Sequence, residues 1–153
     1  MTEEKTRSNV IPQLAELAEF RYQLRRFLSF SEAASEACGI AAQQYQLIQV
    51  IASVPEDRQA SISYLAERMI LRHNSAVELV DRAERAGMVR RRNDEQDLRR
   101  SLVELTPEGW AILRRLVAEH LQELQTHGEG LIRTLRALQD GKTETAGEPA
   151  EDR

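Results

Sequence analysis

Between Arg68 and Arg100 this chain holds nine arginines and six acidic residues, a local charge of +3 in a protein whose net charge is −4. Guanidinium groups stay protonated and present a fork of donors that suits phosphate oxygens and the major-groove edge of guanine. A basic patch on an acidic body can meet a polyanion locally while the rest of the chain stays soluble. Charge alone is equally met by a solvated surface, so the spacing of the arginines has to decide.

Two groups of residues have suitable types and spacing. The first lies around a polar run that reads as a hairpin tip, with Arg90, Arg91 and Arg92 before it and Asp97, Arg99 and Arg100 after it. Strand alternation puts Arg90 and Arg92 on one face and Arg91 on the other, so the three do not reach one ligand together. The second lies on a helical pattern. Ala76, Leu79, Val80 and Ala83 define its buried stripe, and the opposite face holds Asn74, Glu78, Asp81, Arg82 and Arg85. Asn74 falls in the first turn, flanked by His73 and Ser75. Asparagine pairs bidentately with adenine in the major groove, and Arg82 or Arg85 has the reach for guanine or phosphate. Ser75 and Glu78 also fit a capping box, a second reading in which they only start the helix.

The elements that position these groups follow from periodicity. Ile62, Leu65, Ala66 and Met69 give one short helix, and the stripe from Ala76 to Ala83 gives a second, closed by Gly87. Leu102, Val103, Glu104 and Leu105 alternate as a strand. Thr106-Pro107 then supplies a capping hydroxyl and a proline at the first helical position. Helix, break, helix and basic hairpin make a winged helix-turn-helix over about residues 41–109. Before it, a long helical pattern runs from about Asn9 to Ala37 with Gly39 as its stop, and a second covers about Ala41–Ser53. After it, Trp110, Leu113, Val117, Leu121 and Leu124 continue a long helix. His127-Gly-Glu-Gly130 interrupts that helix, and Leu131, Ile132, Leu135 and Leu138 form one more. Residues 1–8 and 140–153 are polar and are expected to be disordered tails.

In this order the pieces resemble the MarR family of bacterial transcriptional regulators. The resemblance rests on the run Ser75-Ala-Val-Glu-Leu-Val-Asp-Arg-Ala-Glu-Arg-Ala-Gly87, on Met88-Val-Arg-Arg-Arg92, and on the spacing Asp97-x-Arg99-x-x-x-Val103-x-Leu105-Thr106-x-x-Gly109. Gln43-Gln-Tyr-Gln-Leu-Ile-Gln-Val-Ile51 is similar to that family's second helix. The resemblance covers about residues 15–138. It implies a mainly α fold with a small β-hairpin wing, one domain over residues 9–138, and dimerisation helices at about 9–37 and 107–138. It also implies a cytoplasmic regulator of double-stranded DNA, a repressor relieved by a small amphipathic or phenolic effector. Arg99 would enter the minor groove, with Asp97 orienting the wing; a narrow A·T-rich groove attracts arginine by its enhanced negative potential. Taken with the residues above, the expected DNA-binding set is His73, Asn74, Ser75, Glu78, Arg82, Arg85, Arg92, Asp97, Arg99 and Arg100. By position, Tyr22, Tyr45 and Tyr64 are candidates for an effector pocket, with burial in the core as the alternative.

Dimerisation has a separate argument. A first helix of roughly 28 residues is about 42 Å long, whereas a compact monomer of this length has a radius of gyration near 15 Å, by a scaling estimate of about that size. Its apolar stripe and the C-terminal Leu/Ile stripe therefore need partners, and a symmetric homodimer on an inverted repeat supplies them, with a wholly intrachain helical bundle as the alternative.

Other classes find little support. The seven glycines form no phosphate-cradling loop and there is no nucleophile elbow, so no enzyme and no cofactor are expected. No apolar run approaches membrane-spanning length, and the start of the chain lacks a secretory pattern. A solvated role is expected for His120 and His127, and no metal site. The single cysteine, Cys38, falls near a helix C-terminus beside Glu36, which disfavours the thiolate and favours a packing role. The alternatives are a protein-interaction module built on the same fold, or a DNA-binding sensor of oxidants or metals.

Overall fold

The computed structural model describes residues 11–141, and the expected tails lie almost wholly outside them. Six helices and one hairpin follow in the order α1 (Leu14–Ala37), α2 (Ala42–Ala52), α3 (Ile62–Met69), α4 (His73–Arg85), β1 (Val89–Asn93), β2 (Ser101–Leu105), α5 (Pro107–His127) and α6 (Glu129–Asp140). They fall into two compact units. One comprises Phe30–Leu121, and the other is built from the two ends of the chain, up to Ser29 and from Gln122 onward.

The first unit holds the apolar core. Leu47, Ile48, Leu65, Leu79, Val80, Met88 and Leu116 are wholly enclosed in it. Ser61 starts α3 by accepting the Tyr64 N–H on its hydroxyl at 3.2 Å, satisfying one of the free donors of a first turn. The next helix, α4, begins at His73 with Arg72 at the cap position. Ser75 is thus already inside the helix, and the capping box expected of Ser75 and Glu78 is not formed. Gly87, at φ +79°, closes α4, and the Met88 N–H reaches back to the Ala83 carbonyl at 3.0 Å, a left-handed helix stop.

The hairpin pairs Val89 with Leu105, Arg91 with Val103 and Asn93 with Ser101 in antiparallel register. A bridge between Ser61 and Leu102 fastens it to the start of α3. Thr106 then does two things at once. Its hydroxyl donates to the Gly87 carbonyl at 2.6 Å and accepts the Gly109 N–H at 3.1 Å, so it caps α5 and ties that helix to the end of α4. Glycine is required at 109, because a Cβ there would lie 2.1 Å from the Met88 carbonyl oxygen.

His120 departs from expectation. It is buried rather than solvated, with Nδ1 2.7 Å from the Leu116 carbonyl and Nε2 2.8 Å from the Ser31 hydroxyl. A carbonyl only accepts, so Nδ1 donates to Leu116, and the Ser31 hydroxyl meets the other ring nitrogen. Tyr45 lies over the ring at 4.5 Å between centroids, and Phe30 meets it edge-on at 5.3 Å. Burial also pushes the Tyr45 hydroxyl above its ordinary pKa.

In the second unit the chain turns before α1. Gln13 takes φ +61° and this helix begins at Leu14, while the start expected near Asn9 lies outside the described residues. The Gln13 amide reaches the carbonyls of Ala137 and Leu138 at the end of α6. Gly130 lets α6 approach Gln23 of α1, whose side-chain oxygen lies 2.7 Å from where a Cβ would stand. Ile11, Leu14, Leu17, Leu28, Leu124, Ile132 and Leu135 of this unit are exposed. No helix among the described residues is long and apolar enough to cross a membrane.

Candidate nucleic-acid interface

The helix α4 buries Ala76, Leu79, Val80 and Ala83, the stripe that its periodicity requires. His73, Asn74, Ser75, Glu78, Arg82 and Arg85 are all exposed. Among the described residues none of these six has an ion-pair or side-chain hydrogen-bond partner, so their polar groups are available to a ligand. Asp81 differs: it is half-buried and pairs with Arg91 at 2.6 Å.

The hairpin distributes its arginines as alternation demands. Arg90 and Arg92 flank Glu104 of the facing strand, with Nε atoms at 2.6 and 3.4 Å from its two oxygens. Arg91 turns the other way, onto Asp81 and Glu84 of α4. Arg92, expected in the DNA-binding set, is therefore already partnered by a carboxylate, although half of its side chain remains exposed.

The tip is organised by a residue that did not stand out in the sequence, Asp94. Its side chain is buried, and its Oδ2 accepts from both Nε and Nη2 of Arg100 at 3.2 and 2.8 Å. The other oxygen accepts the Gln96 N–H at 2.9 Å, the turn that an aspartate closes two residues on. The Arg100 hydrogen bond, then that of Gln96, hold the Asp94 carboxyl below the usual carboxylate range. The Arg100 Nη2 also donates to the Gln59 side chain at 3.0 Å, pinning the hairpin to the loop before α3. Arg100 is thus a bracket within the wing. The Asp94-x-Gln96 pattern inside a polar run was the available signal for it.

Asp97 accepts the Arg99 N–H at 3.1 Å, and Arg99 Nε approaches the same oxygen at 3.4 Å. The Arg99 side chain is 93% exposed, the freest cation of the hairpin. His73, Val77, Arg91, Arg99, Arg100 and Ser101 line parts of one cleft of about 330 Å³ between the start of α4 and the wing. The fold thus brings the first turn of α4 and the wing arginines to one place.

Residues 39–100 match the profile described as the MarR family. That stretch holds α2, α3, α4 and the first strand of the wing. The chain is similar to the HTH-type transcriptional regulator PecS of Dickeya dadantii (strain 3937), 26% identical over 83 residues. That match takes in 54% of this chain and spans half the length of PecS. Among solved structures, AbsC, a MarR family transcriptional regulator from Streptomyces coelicolor, superposes with a TM-score of 0.64 at 20% identity. There the alignment covers 92% of this chain and 93% of AbsC. A variant of S. aureus MepR bound to an oligodeoxyribonucleotide gives 0.61 at 18% identity, over 79% of this chain and 93% of that one. These likenesses establish the mostly helical MarR-type fold with its two-stranded wing.

Other expected sites are not assembled. Tyr45 and Tyr64 are buried in the core, Tyr64 beneath the Arg58 guanidinium, while Tyr22 is exposed. His127 pairs with Glu123 at 3.1 Å, and among the described residues no group of three or more His, Cys, Asp or Glu is arranged to hold a metal. Cys38 is partly buried against the core. The sequence suggested only Glu36 beside it, yet Arg115 of α5 also lies within electrostatic reach. The Arg115 guanidinium is held above its ordinary pKa first by its hydrogen bond to Glu119 and then by Cys38.

Proposed function

We propose that the protein is a sequence-specific, double-stranded-DNA-binding transcriptional regulator that acts as a homodimer on an inverted repeat. The observation that carries this reading is the division among the arginines. Arg90, Arg91, Arg92 and Arg100 are engaged by carboxylates of the fold. Arg82 and Arg85 on α4 pair with no carboxylate among the described residues, and Arg99, though 3.4 Å from Asp97, keeps 93% of its side chain in solvent. Asn74, in the first turn of α4, is placed where such a helix meets base edges. Arg99 suits the minor groove beside it. The oligonucleotide bound to the MepR variant supports the same use of this fold.

Two-fold pairing follows from the exposed leucines and isoleucines of the terminal unit, which a second copy would cover. Repression, relief by a small amphipathic or phenolic effector, a non-enzymatic role and a cytoplasmic location belong to the same proposal, supported by the likeness to the MarR family.

Selection from a random duplex pool with the full chain tests the reading. The expected product is an inverted repeat with half-sites about 10 base pairs apart, centre to centre. Asn74→Ala should relax preference at one base pair per half-site and cost about 1–3 kcal/mol for each lost bidentate pair. A pool with no enriched repeat would instead favour a protein-interaction module on the same scaffold.

A further inference from the structure

The helix that would enter the groove is not itself basic. Glu78, Asp81 and Glu84 outnumber Arg82 and Arg85 along α4. Two of its three acids are taken up by one residue of the hairpin. The Arg91 main-chain N–H donates to Glu84 Oε2 at 2.9 Å, its Nη1 to Glu84 Oε1 at 3.1 Å, and its Nη2 to Asp81 Oδ1 at 2.6 Å. The Arg91 side chain is only 25% exposed, against 67% for Arg90 and 51% for Arg92. Its partner across the hairpin is the buried Val103. The contact therefore fastens the strand itself, by backbone as well as guanidinium, to the exposed side of α4. Beyond it, Asp94–Arg100 and Asp97–Arg99 carry the order outward to the tip.

Building on the DNA-binding reading above, we infer that Arg91 is a positioning residue for recognition: it fixes the wing relative to α4, so that Arg99 and the α4 side chains meet one duplex together. Its donors face carboxylates, so it serves the interface without touching DNA. Holding the wing in its bound position beforehand removes an ordering cost that the complex would otherwise bear. Arg91 and Arg99 line the same cleft but share no hydrogen bond or ion pair, so coupling beyond that of two like charges has to pass through the placement of the wing.

A double-mutant cycle tests this. Affinities for a duplex enriched by the full chain are measured by fluorescence anisotropy for wild type, Arg91→Gln, Arg99→Ala and the pair, with a melting curve for each. In the wild-type background Arg99→Ala should weaken binding about tenfold or more. In the Arg91→Gln background the same change should cost less than about twofold, because a wing that is no longer held delivers little from Arg99. Losses that simply multiply would overturn the inference and leave Arg91 a stabilising pair only. Should Arg91→Gln fail to fold, Asp81→Asn with Glu84→Gln cuts the same link from the helix side and should give the same coupling. If Arg99→Ala has no effect even in wild type, the DNA-binding reading itself falls, a result distinct from simple multiplication.

Discussion

The two compact units of this chain use the same apolar residue types to opposite ends. Between Phe30 and Leu121 the large aliphatic side chains close on one another, and Leu47, Ile48, Leu65, Leu79 and Leu116 have almost no surface left in water. In the unit made from the chain ends, leucines and isoleucines at the same helical spacing stand exposed, from Ile11 and Leu14 to Ile132 and Leu135. Periodicity announces a stripe to be buried; it does not say against what. One unit buries most of its aliphatic side chains within the chain, with Ile70, Leu98 and Leu121 as exceptions, and the other leaves an apolar surface of the kind that marks an interaction site.

The largest test of that contrast removes the exposed stripe. Truncation after Gly128 deletes the exposed Ile132 and Leu135, each worth roughly 1.5–3 kcal/mol if a second copy buries it fully, together with the half-buried Leu131 and Leu138. Light scattering at micromolar concentration should then shift from dimer to monomer. A wild-type particle of only 17.5 kDa over the same range would remove the proposed dimer and leave the contrast without its explanation.

A smaller effect is expected inside the completed core. Leu116→Ala deletes a side chain with no exposed surface and should cost about 2–5 kcal/mol in denaturant unfolding. The protein that remains folded should associate as before. Dissociation by this variant at concentrations where wild type is paired would mean that the two units do not divide the labour as described.

The smallest effect sharpens the contrast by one of its exceptions. Ile70, in the turn between α3 and α4, is 92% exposed and sits in the left-handed region at φ +54°. A β-branched residue is strained there, by roughly 1–2 kcal/mol. Ile70→Gly loses no burial and relieves the strain, part of which is offset by the freer unfolded chain. Its unfolding free energy should rise by about 1 kcal/mol. A loss of stability would show that this exposed side chain, too, has a partner.

Much of the fold was legible because periodicity and punctuation speak locally. Gly39, Gly87 and Thr106-Pro107 mark boundaries that the structure keeps, and the stripe from Ala76 to Ala83 is the buried face of α4. What escaped was decided by tertiary partners. Ser75 and Glu78 fit a capping box, but the turn from Ile70 to Arg72 lets the helix begin earlier. His120 reads as a surface histidine until Ser31, from a helix almost ninety residues earlier, supplies its hydrogen bond. Asp94 and Arg100 sit in a polar run that suggests solvent, yet they bind each other and Gln59. Alternation separated Arg91 from Arg90 and Arg92 correctly, but could not name Asp81 and Glu84 as its destination.

The close approach at Gly109 has a mechanical consequence. The first turn of α5 rests directly on the Met88 carbonyl, and Thr106 bolts the same turn to Gly87. There is no slack at that joint. The start of α5 and the start of the hairpin are thus seated on one another, at a residue whose contribution is the side chain it lacks.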